Sequence, residues 1–187
     1  MSKYDIVITL FTIVYGLMLA DLFLSLHKLI KAAKNVKWHW LPLLAAWYLF
    51  LTILNNWWDL SSFQNSTGWM NIYFFIAYGH LLLLLFLLIS TALPDVVEKD
   101  GIDLRTYYFN NHRYFWGLMS AVVILSSAIN FFKLSLQPGT LDLSIILPAN
   151  IFFIALLLTL AISKKYWVHT IFLVLLVLGV LFEIIRK

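Results

Sequence analysis

The chain has 187 residues, of which 63% are hydrophobic and 12% are charged, and its formal net charge is +4. Soluble domains average about 45–50% apolar and roughly 25% charged residues, so this composition leaves too few charges for a soluble surface. It argues against soluble enzymes, nucleic-acid binders and coiled coils. The chain has no cysteine, which excludes disulfides, Cys-ligated zinc and Cys-ligated iron–sulfur clusters.

Apolar stretches separated by polar breaks predict an all-α integral membrane protein that forms a single transmembrane domain, a bundle of six helices. The predicted spans are residues 5–29, 40–61, 69–93, 114–133, 143–163 and 166–186. At about 1.5 Å per residue, each is long enough to cross a hydrocarbon core of about 30 Å. The first apolar stretch, residues 6–26, is too long for the apolar region of a cleaved signal, so we interpret it as a retained span.

The longest connection, residues 94–113, lies between the third and fourth predicted spans. It leads into DLRTYYFNNHRYFW, residues 103–116, which starts with Asp103 as a candidate N-cap and is rich in aromatic residues. This pattern is typical of a short amphipathic helix at a membrane interface. We therefore predict a short interfacial segment between helices 3 and 4, and residues 94–116 are a candidate docking surface for a partner protein.

The distribution of basic residues predicts the orientation of the bundle. Nine of the 13 Lys and Arg residues fall in the 1–2, 3–4 and 5–6 connections. By the positive-inside rule these connections are cytoplasmic and both termini lie outside a plasma (inner) membrane. Tryptophan prefers membrane boundaries, and seven of the eight tryptophans lie at predicted boundaries: Trp38, Trp40, Trp57, Trp58, Trp69, Trp116 and Trp167.

Two ionisable residues lie inside predicted spans. His80 is about 16 Å deep if the third span begins near residue 69, and Asp21 is roughly 8 Å from the cytoplasmic edge. Such residues usually face protein or water and pair, so Asp21 and His80 are a candidate proton relay or cation site. Alternatively, His80 is a neutral hydrogen-bonding contact between helices. Ser25 and Lys28 share the helical face of Asp21, and Lys28 could instead form an ion pair with it.

A second polar group ends the second predicted span. Asn55, Asn56 and Asp59 predict an outer vestibule that attracts cations, and Asn150 in the fifth span lies at a comparable depth. The alternative is solvation of these side chains at the interface. We assign that simpler interpretation to Glu183, near the outer end of the sixth span.

The remaining histidines, His27, His39, His112 and His169, all fall on the predicted cytoplasmic side. One hypothesis is a metal or haem site with His27 and His169 as the facing pair, and the alternative is ordinary interfacial histidines in a wet, basic region. The pattern is weak, because the chain has no HxxxH motif and no acidic companion at ligand spacing.

Gly16 with Ala20, and Gly117 with Ala121, have the small-residue spacing of helix-packing seams.

The chain has none of the Walker, GxGxxG, HExxH or GxSxG motifs that would indicate an enzyme. We predict a homo-oligomeric channel or transporter for a proton or small cation, with no bound cofactor and no nucleic-acid partner. Two alternatives remain open. One is a haem-bearing redox subunit, and the other is a non-catalytic partner or sensor subunit.

Overall fold

A computed structural model describes residues 3–60, 72–135 and 143–186, and the chain is helical through most of these ranges. The helices are α1 (Lys3–Lys31), α2 (Trp40–Leu60), α3 (Ile72–Ser90), α4 (Leu104–Ser135), α5 (Leu143–Ile162) and α6 (Tyr166–Arg186). A 3₁₀ turn (Ala33–Asn35) and two short strands, β1 (Val36–Lys37) and β2 (Ile102–Asp103), lie in the connections. The predicted start of the third span, at residue 69, lies outside the described residues.

Four of the described helices, α1, α3, α4 and α6, are long and apolar enough to cross a membrane. In α5, the part whose side chains the structure describes is a shorter apolar helix, Leu147–Ile162. Helix α2 has 21 residues, but its sequence includes four tryptophans and two asparagines, which lower its mean hydropathy. The structure therefore confirms a largely helical protein in which four described helices are long and apolar enough to span a membrane, and it does not confirm the predicted six-span bundle.

The helices pack around one core. Helix α1 contacts α2 and α3, helix α4 contacts α2, α3 and α5, and helix α6 packs on α2. Met18, Leu49, Leu88 and Leu173 are among the fully buried residues of this core. Because lipid is as apolar as leucine, close packing rather than water exclusion must hold such helices together inside a bilayer.

The three predicted cytoplasmic connections meet at one end of the bundle, which we call the connection end. Strand β1 pairs in parallel with β2, so the 1–2 and 3–4 connections are hydrogen-bonded to each other. Trp40 Nε1 donates a hydrogen bond of 2.6 Å to the hydroxyl of Tyr166, which ties the 5–6 connection to the 1–2 connection. The other end, where α2 and α6 finish and α3 begins, is called the opposite end below.

Gly101 allows the 3–4 connection to approach the 1–2 connection closely. Its φ is 89°, and a Cβ at this position would lie 2.5 Å from the backbone oxygen of Asn35. Only glycine adopts this backbone conformation readily and leaves room for the neighbouring carbonyl.

Helix α4 corrects the prediction of a separate interfacial segment between helices 3 and 4. It is one continuous helix of 32 residues that begins at Leu104. Its start agrees with the predicted cap, because Asp103 Oδ1 accepts hydrogen bonds from the backbone N–H groups of Arg105 (2.9 Å) and Thr106 (3.1 Å). The hydrogen bonds from these two N–H groups, chiefly the one from Thr106, hold the pKa of Asp103 below its usual value.

A buried stripe explains why α4 does not turn along the membrane surface. Leu104, Tyr108, His112 and Trp116 follow at intervals of four residues, and all four are buried. Four-residue spacing puts side chains on one helical face, and this face contacts α6 through the ring of His169. The buried aromatic residues of this segment, Tyr108, Phe115 and Trp116, therefore pack inside the protein.

The tryptophans divide into exposed and buried. Five of the predicted boundary anchors have exposed side chains: Trp38, Trp40, Trp57, Trp58 and Trp167. Trp116 has an exposed fraction of 0%, so its prediction as a boundary anchor is wrong. Trp69 lies outside the described residues.

Candidate functional site

A cavity of about 400 Å³ lies between α1, α2, α3, α4 and α6. One part of its wall is apolar and includes Leu49, Leu85, Leu88 and Met119. The other part carries ten polar side chains: Tyr15, Tyr48, Thr52, Asn55, Asn56, Asp59, Tyr78, Ser126, Asn130 and Glu183. Polar and ionisable groups are unfavourable among membrane-spanning helices, so their convergence on one space marks a candidate functional site.

Helix α2 provides four of these polar residues from its last two turns. Thr52, Asn55, Asn56 and Asp59 are spaced by three or four residues, which places them on one face of the helix. Thr52 Oγ1 donates to the Tyr48 carbonyl at 2.9 Å, a bond within the helix. Asn55 is buried, whereas Asp59 is partly exposed nearer the end of α2. The predicted vestibule residues Asn55, Asn56 and Asp59 thus lie together on this cavity.

Asn150, the fourth predicted vestibule residue, lies elsewhere. Its Oδ1 accepts a hydrogen bond of 2.8 Å from Ser127 Oγ, which joins α5 to α4. This contact is between helices that pack together extensively. Asn150 therefore belongs to a packing contact rather than to the cavity.

Two tyrosines from different helices line the cavity on the side of α1 and α3. The hydroxyl oxygens of Tyr15 and Tyr78 are 3.1 Å apart, and both side chains are buried. The Phe11 ring stacks on Tyr78 with centroids 4.9 Å apart, which fixes the position of that ring. Hydroxyl, amide and carboxylate oxygens are the donor atoms that hard cations prefer.

The two carboxylates lie near the opposite end, and the lining continues deeper along α2. Asp59 and Tyr48 are eleven residues apart on α2, so the cavity extends about 16 Å along that helix from the opposite end. Glu183 on α6 lies three residues before Arg186, where that helix ends. The described lining residues include two carboxylates and no Lys, Arg or His.

Asp21 and Ser25, predicted as transport residues, both connect α1 with the α3 region. Ser90 Oγ donates to Asp21 Oδ2 at 2.9 Å, and Ser25 Oγ donates to Asp95 Oδ1 at 2.9 Å. Lys28 is exposed. The hydrogen bond of Asp21 thus comes from Ser90 rather than from Lys28, and none of these three predicted residues lines the cavity.

His80 is exposed on α3, and its Nδ1 lies 2.8 Å from the carbonyl of Ile76 one turn earlier. It is ten residues from Ser90, the partner of Asp21, which corresponds to about 15 Å along the helix. The structure therefore does not bring Asp21 and His80 together as a relay. It also places His80 outside the cavity.

His169 forms a buried cluster at the connection end. Its Nδ1 accepts from Trp116 Nε1 at 3.0 Å and lies 3.1 Å from the hydroxyl of Tyr108. Its Nε2 lies 2.8 Å from the carbonyl of Ser163, so Nε2 carries the proton. Both ring nitrogens are thus engaged within the protein.

The predicted haem pair of His27 and His169 is not brought together. His27 is exposed on α1, whereas His169 is fully buried on α6 beside His112, with ring centroids 5.7 Å apart. In the described ranges, no group of three or more His, Cys, Asp or Glu residues could hold a metal ion. The arrangement around His169 instead has the hydrogen bonding of a structural cluster.

Several cavity residues were not predicted from the sequence: Tyr15, Tyr48, Thr52, Tyr78, Ser126, Asn130 and Glu183. One signal could have indicated two of them. Ser126 and Asn130 are four residues apart near the end of α4, the same spacing as Asn55 and Asp59 near the end of α2. Tyr15 and Tyr78 have no such pattern.

No protein-family model matches this chain, and neither does any curated protein or solved structure. The geometry of the cavity is therefore the basis on which a function is assigned.

Proposed function

We propose that the protein is a small multi-pass transport protein of a plasma (inner) membrane that carries a proton or small cation through the polar cavity. The main support is the convergence of Asp59 and Glu183 with eight hydroxyl and amide side chains of four helices on a space of about 400 Å³, whose described lining includes no basic residue. In the full proposal α2 and α5 also span the bilayer, which gives six spans.

The donor set of the cavity favours a singly charged ion. Oxygen atoms of carboxylates, amides and hydroxyls suit hard cations, and a high-affinity divalent site would require six to eight such ligands in ordered geometry. Asp59 and Glu183 both lie toward the opposite end, where they would raise the local cation concentration. The deeper tyrosine hydroxyls and Asn55 would then replace water around the ion.

The apolar part of the wall would form the barrier in this conformation. Leu85, Leu88 and Met119 line the cavity, and Asp21 with Ser90 lies outside it on the α1–α3 contact. Transport would require the helices to separate at this barrier. Asp21 would then be the next oxygen site, so its predicted transport role remains part of the proposal.

The basic connections support the orientation of the bundle. The 1–2, 3–4 and 5–6 connections meet at one end and carry nine of the 13 basic residues. By the positive-inside rule this bias supports a cytoplasmic connection end, with the cavity toward the outside. We further propose that several copies assemble into a closed ring, because a chain of 187 residues has little interior for a continuous path.

The test is cation flux into liposomes that contain the purified protein. We expect Asp59→Asn to reduce potassium or proton flux at least about tenfold, the effect of losing roughly 1.4 kcal/mol of electrostatic stabilisation. His80→Ala is the matched control, since His80 lies outside the cavity and should leave flux unchanged. Equal flux through both variants would contradict the proposal. A haem absorption band in the same sample would instead support the redox alternative.

A further inference from the structure

The ring of Tyr166 connects three helices at the connection end, where α2, α4 and α6 all begin. Trp40 donates a hydrogen bond to its hydroxyl, and the ring of His39 packs against it with centroids 5.6 Å apart. The guanidinium carbon of Arg105, in the first turn of α4, lies over the ring at 5.4 Å from its centroid. Tyr166 therefore holds a cationic side chain of α4 beside the starts of α2 and α6. We call these four residues the Tyr166 cluster.

Arg105 has a cation–π contact but no acidic partner within the described residues. Asp103, two residues earlier, accepts hydrogen bonds from backbone N–H groups, and the charge of Lys37 acts on it. Contact with a ring face supplies no oxygen acceptor for the five N–H donors of a guanidinium. These donors suit phosphate oxygens, which a guanidinium binds through two parallel hydrogen bonds. The exposed side chain of Arg105 is thus available to an anion.

His39 adds a neutral hydrogen-bond donor beside the same ring. Burial lowers the pKa of His39 and the charge of Arg105 lowers it further, whereas Asp103 has the opposite effect. The imidazole is therefore neutral at pH 7. Its Nδ1 accepts a hydrogen bond of 3.3 Å from the backbone N–H of Leu41, so Nε2 carries the proton. The Tyr166 cluster thus offers a neutral N–H donor as well as a cation.

The surroundings of the cluster are those of a membrane boundary. Helix α6, which is long and apolar enough to cross a membrane, begins at Tyr166, and the exposed residues Lys164 and Lys165 directly precede it. Trp40 and Trp167 are also exposed, and tryptophan prefers the level of lipid headgroups. The cluster and the two lysines therefore lie at headgroup level.

An apolar face of α6 continues from this boundary into the membrane. Trp167, Ile171 and Val174 are exposed and follow one another at intervals of four and three residues, which places them on one face of the helix. A lipid with its headgroup at the cluster can therefore extend an acyl chain along α6.

We infer that the Tyr166 cluster binds the headgroup of an anionic phospholipid, whose phosphate lies at Arg105 and whose acyl chain follows Trp167 and Ile171. Charge complementarity favours this partner, because a leaflet that carries anionic lipids attracts Lys and Arg at its surface. A soluble phosphate shares the headgroup chemistry, but it would leave the exposed face of α6 unused. The inference does not depend on ion transport, and it requires only that α6 crosses the membrane.

Three variants compare equal losses of charge at the connection end. Arg105→Gln removes the guanidinium of the cluster, and Lys165→Gln removes a charge beside it. Lys99→Gln is the control, since Lys99 is exposed in the 3–4 connection and lies outside the cluster. Thermal unfolding of each purified variant shows whether the fold is retained. If Arg105→Gln does not fold, the comparison of Lys165→Gln with Lys99→Gln decides.

The full protein in detergent micelles is titrated with dioleoylphosphatidylglycerol, and native mass spectrometry counts the bound lipid. Dioleoylphosphatidylcholine, which has the same chains and no net charge, is the second probe. We expect the affinity for the anionic lipid to fall about tenfold in Arg105→Gln, the effect of losing a hydrogen bond between charged groups. It should fall about threefold in Lys165→Gln and change by less than about twofold in Lys99→Gln. Binding of the neutral lipid should be weaker and equal in all four proteins.

Unchanged affinity for the anionic lipid in a folded Arg105→Gln would overturn the inference. Equal losses in all three variants would also overturn it, because they would show general attraction to the charge of this end. Inorganic phosphate is the soluble competitor, and we expect it to leave the lipid bound at equal concentration. Displacement of the lipid under that condition would reject the phospholipid in favour of a soluble phosphate.

Discussion

The two ends of the bundle use polar residues in different ways. At the connection end, Trp116 and His169 are fully buried and hydrogen-bonded to each other, and Tyr108 is buried beside them. At the opposite end, ten polar side chains surround a space of about 400 Å³. Polarity inside a helical bundle is therefore not by itself a functional signal. The space that the polar groups leave unfilled distinguishes a candidate site from a structural cluster.

The largest expected effect concerns two tryptophans, one fully buried and one about half exposed. Trp116→Ala should lower the free energy of unfolding by about 3–5 kcal/mol, because it leaves a cavity in the packed core. Trp47 is 51% exposed, so Trp47→Ala should cost less than about 1 kcal/mol. Unfolding of both variants in detergent micelles checks this difference. Equal losses would contradict the structural role of the connection end.

A pair of histidines gives a smaller effect of the same kind. His169→Leu should cost about 1–3 kcal/mol, because it removes the closer of two acceptors of Trp116 Nε1–H and the N–H donor to the Ser163 carbonyl. His80→Leu should be within about 0.5 kcal/mol of the wild type, since His80 is exposed and bonds only its own helix. The measurement is again unfolding in micelles. A larger loss of unfolding free energy in His80→Leu than in His169→Leu would contradict the structural role of His169.

The smallest effect is at the start of α4. Asp103→Ala should cost about 1 kcal/mol at pH 7 through loss of the N-cap, whereas Asp103→Asn should retain most of the cap. Because the folded pKa of Asp103 is lowered, its ionised form contributes above the unfolded pKa of about 3.9. That contribution is lost as the pH falls through the folded pKa. The stability advantage of the wild type over Asp103→Ala should therefore shrink in acid toward that of Asp103→Asn, because a protonated carboxyl, like an amide, still accepts through its carbonyl oxygen. A constant difference would contradict this cause.

Much of the helix layout could be predicted from the sequence. The apolar stretches gave helix ends close to those of α1, α2, α5 and α6, because polar residues end each stretch. The shared face of Asn55, Asn56 and Asp59 also followed from their spacing, since all three lie on one helix. Local periodicity is sufficient for such features.

Other features depend on tertiary packing and could not be predicted in the same way. His80 is exposed because other helices pack on the opposite face of α3. The sequence could not predict which face this is, because α3 is apolar all round. Glu183 and Asn130 reach the cavity only because α6 and α4 lie next to α2. The continuity of α4 was predictable in principle from the four-residue spacing of Leu104, Tyr108, His112 and Trp116.

The central claim is that the cavity admits water and cations from the opposite end, and cysteine labelling tests it most directly. The chain has no cysteine, so Ser126→Cys introduces one thiol at the cavity wall. Ser120→Cys is the control on the same helix, because Ser120 is buried away from the cavity and bonds the Trp116 carbonyl. We predict that a membrane-impermeant thiosulfonate added outside sealed vesicles labels Cys at 126 and not at 120, and that potassium slows this labelling. Absence of labelling at 126, or labelling that potassium does not affect, would contradict the account.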